Sequence, residues 1–205
     1  MLNYYNPADS SATHQFIAAI NRLLNHFEKS RNDIILLCIG SDRATGDCLG
    51  PIIGHKLQLA LENSFKRLPN KKGLQIYGTL DKPVHAGNLE ATIGFIKLCH
   101  KDPLIIAVDA SLGTNEHIGY ITLGKGPLSP GIGVNKSLPK VGDIFITGIV
   151  NLSGPANQTM LQTTRLNTVM QLADFVVYGL YHCLIRSQFG SALQSAKQGH
   201  LINKF

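Results

Sequence analysis

Residues 33–57 read DIILLCIGSDRATGDCLGPIIGHKL, and the fold of the chain turns on this stretch. Ile34 to Ile39 are an unbroken run of apolar and thiol side chains, the pattern of a short strand buried on both faces rather than wet on one. Gly40 ends the run and the polar loop SDRATGD follows. Gly50-Pro51 then opens a segment whose Ile52, Ile53, Leu57 and Leu61 fall on one side of a helix. The unit is strand, loop, helix, with the strand expected at the centre of a sheet. Open α/β sheets take their ligands just beyond the carboxyl ends of the strands, so Asp42, Arg43, Thr45, Asp47 and Cys48 stand where chemistry is usually done.

Toward the N-terminus, a polar lead in which Ser10 or Ser11 is a candidate cap precedes Phe16, Ile17, Ile20, Leu23, Leu24 and Phe27. Their spacing is that of a helix packed on the sheet. Toward the C-terminus, LPNKKG (68–73) reads as a turn, LQIYGTL (74–80) as a second strand and DKPVHAGN (81–88) as the loop after it. Leu89, Ile93, Ile96 and Lys97 make a helix for which Asn88 is the candidate cap. After Pro103 the run LIIAVDASLG is a third apolar strand, expected to end at Asp109. Strands alternating with helices predict a mainly parallel sheet with helices on both faces. From Ile118 to Asp143 glycines and prolines crowd in around one short strand, Ile118 to Leu123, which reads as a rim over the site. DIFITGIVN (143–151) is another strand, Leu161 to Arg186 one long helix, and the remainder a weakly amphipathic tail.

A length of 205 residues with 44% hydrophobic content suits one domain spanning 1–205. Nineteen Lys and Arg against thirteen Asp and Glu give +6, but the basic residues are scattered, with Lys71-Lys72 the densest spot. That is a mild bias and not a nucleic-acid footprint. The N-terminal MLNYYNPADS has no basic region followed by an apolar core, and no uninterrupted apolar stretch approaches the roughly 20 residues that span a bilayer. Neither export nor a membrane is expected.

Three groupings could carry chemistry. Asp47 and Asp109 each follow or end an apolar strand, and if those strands are neighbours the two acids face one crevice. Two close carboxylates cannot both ionise cheaply, so one keeps its proton and the pair can act as general acid and base. The plainer alternative, which residue types alone favour, is that Asp47 caps the following helix and Asp109 a turn at Ser111-Leu112. A metal held by some of Asp47, Cys48, His85 and Asp109 has no diagnostic ligand spacing behind it. A phosphate cradle in GSDRATGDCLG matches neither common glycine-rich pattern, and its own acids would repel the ligand. A Cys48-His85 nucleophile pair is chemically conceivable, but nothing in the sequence brings the two together.

The stretches LLCIGSDRATGDCLGP, KPVHAGNL, IIAVDASLG and PLSPGIGVNKSLPKVGDIFITGIVN closely resemble the YyaC-type sporulation proteins of spore-forming Firmicutes, a group also known as spore proteases. The likeness covers nearly all of the chain. That group resembles, more distantly, the germination protease that degrades small acid-soluble spore proteins, and beyond it the hydrogenase-maturation endopeptidases. The resemblance implies a three-layer, doubly wound α/β fold of the phosphorylase/hydrolase type. In the germination protease two aspartates are assigned to catalysis, one in a G-N-x-x-x-T-x-D-x-L-G-P loop and one at a V/I-D-A strand end. These motifs fall on Asp47 in GSDRATGDCLGP and on Asp109 in VDAS.

What the resemblance implies is a sporulation-associated endopeptidase that hydrolyses peptide bonds with Asp47 and Asp109, while Asp42, Arg43, Thr45, His85 and Ser111 line the substrate site. A catalytically silent relative would use the same crevice to hold a peptide or serve as a maturation factor. In the hydrogenase-maturation enzymes a glutamate directly after the loop aspartate, the V-D-A aspartate and a later histidine contact nickel. The first of these positions is Cys48 here, so no metal and no other cofactor is expected. The implied partner is a protein or peptide substrate, small acid-soluble spore proteins among them, with no nucleic acid, no membrane and self-association left open. The implied location is the cytoplasm of the sporulating cell or the spore interior. Cys38, Cys48, Cys99 and Cys183 are widely spaced with no CxxC pair, as in reduced thiols of that compartment. Thiol titration under denaturing, non-reducing conditions should therefore find all four free, and a lower count would reveal a disulfide.

Overall fold

The computed structural model describes residues 2–27, 33–65, 73–131 and 138–201. In chain order the elements are β1 (Asn3–Tyr5), α1 (Ala12–Phe27), β2 (Ile34–Cys38), α2 (Leu49–Phe65), β3 (Leu74–Tyr77) and α3 (Leu89–Cys99). Then follow β4 (Leu104–Gly113), β5 (Ile121–Lys125), β6 (Ile144–Leu152), α4 (Asn157–Gln162) and α5 (Leu166–Leu201). Six strands form one sheet in the order β1-β5-β6-β4-β2-β3. β3, β2, β4 and β6 run parallel, while β5 and β1 close that edge antiparallel.

The apolar run becomes β2, and it is interior: Leu36 pairs with Ile76 on one side and with Ile106 on the other. Side chains alternate across a strand, so Leu36, Cys38, Ile106 and Val108 face a core filled by Phe16, Ile20 and Leu24 of α1, Ile53 and Leu57 of α2, and Val169 and Val176 of α5. Ile35, Leu37, Ile39 and Ala107 face the opposite core, capped by Leu89 and Ile96 of α3. Burial of one such aliphatic side chain contributes about 1.5–3 kcal/mol, which is why a strand wet on neither face dictates helices on both. Within α5 the segment Leu166–Ile185 is long and apolar enough to cross a bilayer by length and composition, yet half of it is buried in this fold. It is the core helix behind β6.

Several boundaries differ from the sequence reading. β1 was hidden in the polar lead: only Tyr5 is buried, so three residues carry almost no hydrophobic signal. The short strand after Ile118 starts at Ile121, because Asn115–His117 first make a turn of 3-10 helix. The helix expected from Leu161 is two helices. The Thr164 hydroxyl bonds the Met160 carbonyl at 2.7 Å, where the next helical N–H would bond, while the Thr163 hydroxyl joins its own N–H on the Thr159 carbonyl at 2.8 Å. α5 also continues through the expected tail to Leu201. Most of the LPNKKG turn lies outside the described residues. Asn88 sits at the head of α3, but its side chain turns back into the loop, accepting from His85 N at 2.8 Å and donating to Pro83 O at 3.0 Å.

Gly40, at the exit from β2, has φ +136°, and a Cβ there would lie 1.9 Å from the Asp47 carbonyl oxygen. Gly40→Ala should destabilise the protein by about 1–3 kcal/mol or more. Gly94, on α3 with nothing within 4 Å of its would-be Cβ, is the control: Gly94→Ala should be neutral or stabilising by up to about 1 kcal/mol. Denaturant midpoints of the two variants check both statements, and equal midpoints would mean that the exit turn is not strained as described.

Candidate functional site

β2 and β4 are adjacent, yet the chain leaves β2 to build β3 on its far side and returns over the opposite face into β4. Such a switch in winding direction opens a crevice at the carboxyl ends of the two strands. A cavity of about 330 Å³ lies there, within the range of small-ligand sites. The β2–α2 loop lines it with Ser41, Arg43 and Asp47, the β3–α3 loop with His85, and β4 with Asp109, Ser111 and Leu112. Gly131 and Leu138 flank it from the stretch after β5, which fits the expected rim, and Gln158, Leu161 and Gln162 of α4 close the far wall. A wider hollow of about 750 Å³ between the β1–α1 turn and α5 carries a single carboxylate, Asp174. That group is already paired with Lys56.

Asp47 lies in a turn of 3-10 helix, Gly46–Cys48. Its Oδ2 accepts from Ser41 N at 2.7 Å and from Ser41 Oγ at 3.0 Å. The carboxylate therefore bonds back across its own loop instead of capping α2. Asp109 is not at a strand end, since β4 runs on to Gly113 and the side chain is only 6% exposed. Its Oδ1 accepts from Ala110 N at 2.8 Å. Ser111 and Leu112 are strand residues, so Asp109 caps no turn there.

The two carboxyls feel opposite balances. Burial raises the pKa of Asp109 well above the usual carboxylate value, the charge of Asp47 raises it further, and one N–H from Ala110 opposes them. Burial also raises Asp47, but less, because the Ser41 hydroxyl, the Ser41 N–H and the nearby His85 favour its charged form. The proton of the pair thus belongs on Asp109 and the negative charge on Asp47. His85 is oriented by its loop, with Nδ1 accepting from Gly87 N at 3.1 Å, so a neutral ring carries its proton on Nε2. The Ser111 hydroxyl donates to Thr147 Oγ1 at 3.3 Å.

Of the residues chosen from sequence, Asp47, Asp109, Arg43, His85 and Ser111 meet in this cleft, whereas Asp42, Thr45 and Cys48 are not among its lining. Burial pushes the Cys48 thiol up, and the charges of Asp42 and Asp47 push the same way. It is neither a ready thiolate nor a good metal ligand. Among the described residues no group of three or more His, Cys, Asp and Glu could hold a metal ion. Sequence reading missed Ser41, whose one signal was its place directly after the strand-ending glycine, and the two α4 glutamines, of which Gln158 had no assignment and Gln162 fell inside the expected long helix.

A family model described as "Protein of unknown function (DUF1256)" matches residues 4–179. A Bacillus subtilis (strain 168) protein described as "Uncharacterized protein YyaC" is 42% identical over 177 residues, which cover 86% of this chain and 81% of the relative. Among solved structures, the NiFe hydrogenase maturation protease HycI from Thermococcus kodakarensis KOD1 aligns with a TM-score of 0.49 and 13% identity, over 81% of this chain and 98% of that one.

A carboxyl whose folded pKa is raised binds its proton more tightly in the native than in the unfolded chain. Its contribution to stability is fully present below the unfolded pKa, about 3.9, and is lost as pH rises through the folded value. Asp109 is such a group. Asp109→Asn, neutral at every pH, should therefore melt increasingly above the wild type as pH rises from about 4 toward neutrality and beyond. Melting curves across that range check it, and parallel curves would mean that Asp109 carries no raised pKa.

Proposed function

This chain belongs to the DUF1256 family, and we propose that it is a peptide-bond hydrolase whose Asp47 and Asp109 form an unequal catalytic pair. The observation that carries this reading is two carboxyls lining one cleft, Asp47 accepting two hydrogen bonds from Ser41 and Asp109 enclosed in the strand with one from Ala110. Ionised Asp47 takes a proton from a water molecule whose oxygen attacks the peptide carbonyl carbon, while neutral Asp109 gives its proton to the carbonyl oxygen. On collapse of the tetrahedral intermediate the Asp47 proton goes to the departing amine, and Asp109 regains a proton from the intermediate hydroxyl. Both side chains end as they began. Arg43, His85, Ser111, Gln158 and Gln162 are the groups available to hold the chain being cut.

The finer reading rests on the resemblance of the GSDRATGDCLGP and VDAS motifs to the germination protease. It makes the substrate a small acid-soluble spore protein and the setting the cytoplasm of a sporulating cell or spore. One observation favours a second reading: Asp109 is so enclosed that the cleft would also suit a maturation or binding factor that grips a peptide without cutting it.

Incubation with small acid-soluble spore proteins, with cuts mapped by mass spectrometry, separates the two. Hydrolysis should fall by roughly 100-fold or more in Asp47→Asn and in Asp109→Asn, should be insensitive to chelator, and should survive Cys48→Ser. Its rate should rise with pH as Asp47 ionises and fall as Asp109 loses its proton, with apparent values that belong to the pair. Wild-type rates in both Asn variants would rule out the pair, and binding without cuts would favour the gripping factor.

A further inference from the structure

We infer that the cleft holds its peptide as an added β-strand on the bare edge of β4, and so recognises an extended main chain. This deepens the hydrolase reading and rests on it for the identity of the occupant. β2 accompanies β4 only as far as Val108, whose carbonyl accepts from Ile39 N at 2.7 Å. At Gly40 the neighbouring chain turns away, and its N–H goes to Val84 O at 2.8 Å on the β3 side. β4 continues for five more residues, Asp109 to Gly113, which among the described residues pair only with β6.

Alternate residues of a strand direct their N–H and C=O groups to opposite neighbours. Val108 faces β2, while Gly113 O accepts from Ser153 N at the end of β6. Ala110 and Leu112 therefore face the side that β2 has vacated. The Ala110 N–H is taken by Asp109 Oδ1. Among the described residues that leaves the Ala110 carbonyl and both main-chain groups of Leu112 aimed at the cleft, with Ala110 and Leu112 themselves on its wall. Unpaired strand edges are templates for another strand, and main-chain bonds supply the affinity in such additions.

The exposed run spans about four residue steps of roughly 3.3 Å each, enough for a short extended segment. A strand laid there runs directly past Asp109, so the Ala110 and Leu112 bonds would fix which peptide bond meets the carboxyl pair. Main-chain pairing reads conformation more than sequence. The expected occupant is an unstructured or locally unfolded stretch of protein, and proline or N-methyl residues at the pairing positions would exclude it.

Backbone amide NMR and hydrogen exchange test this without knowing the natural substrate. The probes are a pool of random decapeptides and a matched pool with N-methylated backbones, each at millimolar concentration, added to Asp47→Asn protein so that nothing is cut. In the free protein the Leu112 amide should exchange about tenfold or more faster than that of Gly113. The natural pool should shift and slow Leu112 and shift Ala110, and the N-methylated pool should do neither. Leu112→Pro, which removes the cleft-facing donor together with a buried side chain, should abolish the response at Ala110; if that variant does not fold, the wild-type edge comparison still decides. A Leu112 amide already protected in the free protein, no response to either pool, or equal responses to both would overturn the inference. Cuts by wild type with no Leu112 response would sink the added strand while leaving hydrolysis standing. A Leu112 response with no cuts on any spore protein would do the reverse.

Discussion

The structure depends on how the chain leaves β2. Gly40 has a positive φ, and its Cα faces the Asp47 carbonyl so closely that no side chain fits between. Because the turn is that tight, Asp47 comes to lie over the end of the strand it follows, and its carboxylate reaches Ser41, the first residue past the turn. The same exit deprives β4 of its neighbour beyond Val108. One backbone constraint thereby makes the crevice, delivers the first carboxyl to it and leaves the second on an unflanked stretch of strand.

The inequality of the two acids follows from where each sits. Asp47 belongs to a loop, and loops have free N–H and hydroxyl donors, two of which Ser41 aims at it. Asp109 belongs to a central strand, where its carboxylate receives a single main-chain donor, the N–H of Ala110. Desolvation acts on both, but the loop can answer it and the strand cannot. A pair built from two loops would lose this asymmetry, and a pair built from two strand interiors would lose access to substrate.

How much of this the sequence made legible follows the strength of local signals. The β2 run, the α2 stripe Ile52, Ile53, Leu57 and Leu61, and the alternation of elements up to β4 are strong patterns, and they sufficed for the parallel three-layer architecture; that the strands carrying Asp47 and Asp109 are neighbours stood only as a condition, which the pairing of β2 with β4 meets. The end of β4 was misjudged because polar Asp109 and Ser111 look like a strand terminus, whereas both are accommodated in a strand that has lost one neighbour. Asp42, Thr45 and Cys48 were grouped with Asp47 by proximity in sequence, but a turn of 3-10 helix rotates successive side chains apart, and the cleft receives only Asp47 from that turn. Ser41 and β1 carry their roles through main-chain geometry, which side-chain periodicity does not report.

The break between α4 and α5 is the least legible feature and the one that completes the site. Gly46, beside Asp47, packs so tightly under α4 that a Cβ there would lie 2.7 Å from Thr164 Oγ1 and 2.9 Å from the Leu161 carbonyl. Asn151, at the end of β6, holds the same short helix by donating to the Met160 carbonyl at 2.8 Å. α4 is thus pinned between the Asp47 turn and the last residues of the strand that pairs with β4. α4 ends at Gln162, the Thr164 hydroxyl takes the Met160 carbonyl, and both glutamine amides of α4 stand on the cleft wall. Donor-acceptor amides facing a strand edge with unused main-chain groups leave room between them for a chain that has the same two kinds of group to satisfy.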